Sequence, residues 1–75
     1  MVEIAPGITV DEKIRFGKPV VKGTRVPINL ILVKLSLGMT CKEISDEYGI
    51  TEMDINAVLN YAAKVLSEEE IMVKA

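Results

Sequence analysis

Thr40-Cys41-Lys42-Glu43-Ile44-Ser45-Asp46-Glu47-Tyr48-Gly49-Ile50-Thr51-Glu52-Met53-Asp54-Ile55-Asn56-Ala57-Val58-Leu59 decides the fold. Thr40 and Glu43 fit a capping box, in which a hydroxyl and a carboxylate each take a free amide at a helix start. Cys41, Ile44 and Tyr48, at spacings of three and four, predict the buried stripe of that helix, and Gly49 stops it. Thr51 then opens a longer helix in which Ile55, Val58, Leu59, Ala62, Val65 and Leu66 keep a helical period. With small Ser45 at the crossing point, the stretch has the spacing of a helix-turn-helix. Capped helical hairpins that never touch DNA share that geometry, so the spacing alone leaves both readings open.

Working toward the N-terminus, Gly38 reads as the cap of an earlier helix that Pro27 opens as its first residue, since the missing proline amide would have no partner there. Ile28, Leu30, Ile31, Leu32, Val33, Leu35 and Leu37 make this helix apolar almost all round, the pattern of a helix covered on most sides. Before it, Pro19 and Pro27 bracket a segment with a bend at Gly23, which predicts a short edge ribbon or extended arm. Ile8 and Val10, then Ile14 and Phe16, alternate with polar residues around Asp11-Glu12-Lys13, which predicts two short strands or extended arms about a turn. The expectation is a mainly α fold with a short N-terminal β arm or hairpin and a helix-turn-helix core of three to four helices. It divides one domain into an arm at 1–26, a helical core at 27–66 and a short C-terminal helix or tail at 67–75.

Seventy-five residues form only a small core. One cysteine and no histidine argue against disulfide or metal stabilisation, leaving self-association, most simply as a two-fold dimer. Ile8, Val10, Val20, Ile28, Leu32 and Leu35 are the residues expected at that interface. Residues 1–10 lack the cationic start and apolar run of a signal peptide, and no run has the length of a membrane span. With the lone Cys41, a cytoplasmic protein is expected.

The net charge of −2 hides a division: residues 1–39 carry +3 and residues 40–75 carry −5. Lys13, Arg15, Lys18, Lys22, Arg25 and Lys34 follow one another with no acid between Lys13 and Lys34. Such a field suits an anionic partner, and Lys18, Lys22 and Arg25 are the candidate phosphate contacts; protection of an exposed strand edge explains the same lysines. On the second helix of the pair, Glu52 and Asp54 would face phosphates, leaving Asn56 and Asn60 as candidate adenine readers. Catalysis is poorly supplied, since there is no histidine and Cys41 has no activating partner. Lys22-Gly23-Thr24 inverts the order a phosphate loop requires, and Glu43, Asp46 and Glu47 read as a solvated face rather than a metal site. Neither a cofactor nor a small-molecule substrate is indicated.

With these residues in hand, the chain resembles the bacterial and archaeal family of domain of unknown function 433. Gly-Lys-Pro-Val-Val-Lys-Gly-Thr-Arg-Val-Pro at 17 to 27, the leucine-rich helix ending in Gly38-Met39-Thr40, and Glu43-Ile44 through Tyr48, Asp54-Ile55 and Asn60-Tyr61-Ala62-Ala63 carry the likeness. It implies a homeodomain-like or winged-helix-like core with an N-terminal strand arm. It also implies a non-enzymatic, dimeric VapB-type antitoxin that blocks a PIN-like ribonuclease and binds its own promoter. Gly49 stands where many members have proline, which favours a DNA-binding turn, whereas Glu52 and Asp54 count against one. A protein-interaction or assembly module, with the helix-turn-helix as architecture only, is the alternative.

Overall fold

The computed structural model describes residues 1–68, in which a small sheet precedes three helices. Strands β1 (Val2–Ala5), β2 (Ile8–Val10) and β3 (Val20–Val21) are antiparallel and lie in the order β1-β2-β3. The helices are α1 (Ile28–Ser36), α2 (Cys41–Tyr48) and α3 (Glu52–Ser67). The architecture is mainly helical with an N-terminal β hairpin, as the sequence pattern predicts.

Pro6-Gly7 turns β1 into β2, with Gly7 at a φ of 80° that an L side chain rarely adopts. A Cβ on Gly7 would also lie 3.0 Å from the Ala57 Cβ, so the hairpin tip rests directly on α3. Val2 faces Val10, Glu3 faces Thr9 and Ala5 faces Ile8, which leaves Ile4 as a bulge on an edge strand.

The expected second strand around Ile14 and Phe16 does not form, and β2 pairs with Val2–Ala5 instead. Asp11 turns the chain too tightly: its carboxylate accepts the Lys13 amide at 2.9 Å and its carbonyl accepts the Ile14 amide at 2.8 Å. Arg15, Phe16 and Gly17 then follow at φ values of 51°, 57° and 80°, a left-handed turn incompatible with strand pairing.

β3 is the edge strand that its flanking prolines require. Beyond it the Gly23-Thr24 bend is held by the Thr24 hydroxyl, which donates to the Val21 carbonyl at 2.8 Å and accepts the Val26 amide at 3.0 Å. Pro27, at φ −67° and ψ 139°, caps α1 rather than starting it. Extended backbone at Pro27 pairs it with Val20 across the ribbon, so the helical turn begins one residue later.

Gly38, at φ 93°, ends α1; its amide reaches the Leu35 carbonyl and the Met39 amide the Lys34 carbonyl, closing a Schellman motif. Both α2 and α3 start with complete capping boxes, Thr40 with Glu43 and Thr51 with Asp54. Gly49 takes the left-handed conformation between them, and Ser45 fixes the turn by accepting the Ile50 amide on its carbonyl and donating its hydroxyl to the Ile50 carbonyl.

Ile8, Val21, Ile28, Ile31, Ile44, Ile50, Ile55 and Val58 form one core joining the sheet to all three helices. Each is β-branched and stiff at χ1, which suits a small core with few ways to repack. Three residues expected at a dimer interface, Ile8, Val20 and Ile28, are instead buried within the single chain, because the hairpin and the β3 ribbon fold over them. Val10, Leu32 and Leu35 are half-buried. Cys41, expected in the buried stripe of α2, is exposed: as the first helical residue it lies ahead of the turn that meets the core. Ser67 is the last residue of α3; the expectations for 69–75 lie outside the described residues.

Candidate nucleic-acid and partner surfaces

The charged arm is built on the left-handed turn at Arg15–Gly17. A non-glycine residue at such φ costs about 1–2 kcal/mol, and two stand here in succession. Local bonds hold them: the Gly17 amide donates to the Ile14 carbonyl, the Lys18 amide to the Arg15 carbonyl, and Arg15 Nε to the Arg25 carbonyl at 3.2 Å. The outcome is a Phe16 ring that is 98% exposed.

Phe16 and Arg15 stand between two adjoining depressions. One, of about 540 Å³, is lined also by Glu12, Lys13 and Arg25. The other, of about 460 Å³, is lined also by Lys18, Pro27, Asn29, Leu30 and Val33. The structure thus brings Lys18 and Arg25 to one surface. Lys22 lies apart, its ammonium 2.9 Å from a Glu3 carboxylate oxygen and its amide on the Gly7 carbonyl. The other Glu3 oxygen accepts the Gly7 amide at 3.0 Å. That amide first, and Lys22 second, hold the Glu3 carboxyl below its ordinary pKa. Glu43 is lowered likewise by the Thr40 amide and then its hydroxyl.

Asn56 and Asn60 occupy a different place. With Met53, Tyr61 and Lys64 of α3 they line a groove of about 320 Å³ whose far wall is Ala5-Pro6 of the hairpin, and it shares no residue with the two depressions beside Phe16. The arm cations and the two asparagines therefore do not form one continuous site. Of the acids at the start of α3, Asp54 is committed to its cap, accepting the Thr51 amide at 2.9 Å, while Glu52 is exposed. Ala57, between the two asparagines, meets the hairpin tip.

The far end of α3 presents a second surface. Ile55 and Val58 reach the core, but Leu59, Val65 and Leu66 of the same apolar stripe are exposed, Leu66 by 63%. The helical period of that stripe is legible in the sequence, but where the core ends along it is not. Phe16 and Tyr61 are legible in the sequence as a strand residue and as part of the family likeness, not as site residues. The one phenylalanine among cations was the available signal for Phe16, whereas the positive φ of Arg15 and Phe16 has none in residue type. Among the described residues, no group of three or more Cys, Asp or Glu side chains is placed to hold a metal ion. No described helix is long and apolar enough to cross a membrane.

A hairpin-backed three-helix domain with a helix-turn-helix pair is the class these elements define. The chain belongs to the family described as Protein of unknown function (DUF433), whose model matches residues 8–62. The matched span runs from β2 to the middle of α3 and includes the left-handed turn, the Gly23-Thr24 bend and both capping boxes. The X-ray crystal structure of Rv2018 from Mycobacterium tuberculosis is similar, with a TM-score of 0.65 and 29% identity. That match covers 69% of this chain and 24% of the other, so the shared domain is about a quarter of the longer protein. Comparison with curated proteins finds no match.

Proposed function

We propose that this protein is a non-enzymatic, cytoplasmic antitoxin of a toxin–antitoxin pair. It acts as a homodimer, neutralises a PIN-like ribonuclease, and binds its promoter DNA through the cationic arm. The observation that carries the reading is the exposed apolar end of α3. Leu59, Val65 and Leu66 continue a core stripe beyond the core, the form in which an amphipathic helix enters a partner's groove. Lys18 and Arg25, with no ion-pair partner among the described residues, supply the anionic-ligand half. The direct test is RNA cleavage by a PIN-like nuclease encoded beside this gene. An equimolar amount of this protein abolishes cleavage if the reading holds, and undiminished cleavage contradicts it.

One observation favours a second reading, an assembly module that leaves DNA alone. The hairpin tip covers Ala57 in the middle of α3, narrowing the face a major groove would receive. Absence of binding both to DNA and to a PIN-like nuclease selects that reading.

A further inference from the structure

Phe16 adds almost nothing to the core, yet it is held at a backbone conformation that disfavours a bulky residue. The turn carries its ring out into solvent. Arg15 lines the depressions on both sides, Lys13 and Arg25 line one, and Lys18 lines the other. Glu12 is the one carboxylate lining either, and none of the four cations forms an ion pair among the described residues.

A free aromatic face set among unpaired cations can stack a base while the neighbouring phosphates meet the charges. We infer that Phe16 is a stacking platform for an unpaired base of a single-stranded nucleic acid, with Lys13, Arg15, Lys18 and Arg25 along the backbone of that strand. An acidic peptide would engage the cations and leave the ring idle, and duplex bases are already stacked on one another. The inference rests on reading the arm as a nucleic-acid surface, and needs no contact from α3.

The chain has no tryptophan, so Phe16→Trp provides a single reporter. Its fluorescence is followed on titration with a thymidine strand of about twelve nucleotides, within the usual single-strand site size. An abasic strand of equal charge, the duplex and polyglutamate serve as comparisons. The single strand quenches strongly and the others do not. In anisotropy, Phe16→Ala binds the single strand about tenfold more weakly than the native protein, the order expected for one stacked base. The slope against salt stays unchanged because the cations remain. Equal affinity of Phe16→Ala, or equal quenching by the abasic strand or polyglutamate, overturns the stacking role while the cationic surface stands. Failure of the native protein to bind any nucleic acid overturns both.

Discussion

Glu3 and Lys22 form a 2.9 Å ion pair that closes a ring through the hairpin tip, since Gly7 donates its amide to Glu3 and accepts that of Lys22 on its carbonyl. The ring ties β1 to the residue after β3 across the sheet. Because the folded pKa of Glu3 is depressed, its contribution to stability is complete above the ordinary glutamate value of about 4.3 and is lost as pH falls through the lower folded value. Glu3→Gln should lower Tm slightly at pH 7 and make progressively less difference as the pH falls through the depressed folded value of Glu3, as read by circular dichroism. A difference that grows toward low pH would contradict the assignment.

The same ring predicts unequal roles for the three cations. Lys18→Ala and Arg25→Ala should each reduce the slope of log affinity against log salt by about 0.7–0.9. Lys22→Ala should change it less, because its ammonium is already engaged by Glu3. Equal slopes for all three variants would place Lys22 on the same surface.

Gly7 and Gly23 separate backbone strain from packing. Both have positive φ, but only Gly7 faces a neighbour, the Ala57 Cβ at 3.0 Å, while Gly23 faces open space. Gly23→Ala should cost about 1–2 kcal/mol from conformation alone. Gly7→Ala should cost more in the same denaturant titration, and Ala57→Gly should recover part of the excess as a coupling energy. Equal costs would mean that the hairpin tip does not rest on α3.

Phe16→Gly should raise stability by about 1 kcal/mol, because it relieves a left-handed φ and gives up an exposed ring. A clear loss on urea unfolding would show the ring to be structural.

The helices were legible because their signals are local. Thr40 with Glu43, Gly38, Gly49 and Thr51 each act within one turn of chain, and all stand at the ends they predict. β1 was not legible: its side chains are exposed or half-buried and Ile4 breaks the alternation, so no buried face leaves a pattern in Val2–Ala5. The candidate site was half legible. The positive field on residues 13–34 is a property of composition, but whether Lys18 and Arg25 share a surface with Asn56 and Asn60 depends on how the arm folds. In the fold, Lys18 and Arg25 line the depressions beside Phe16, whereas Asn56 and Asn60 line the groove against the hairpin.

Affinity capture from the native cell shows whether the exposed end of α3 holds a partner. Native protein and Leu66→Asp serve as baits, each with and without digestion of nucleic acid. The account predicts that the native bait recovers a small nuclease with an acidic active site in both samples, and that Leu66→Asp loses it while staying folded. Recovery of the bait alone, or only of DNA fragments that vanish on digestion, would contradict the antitoxin reading.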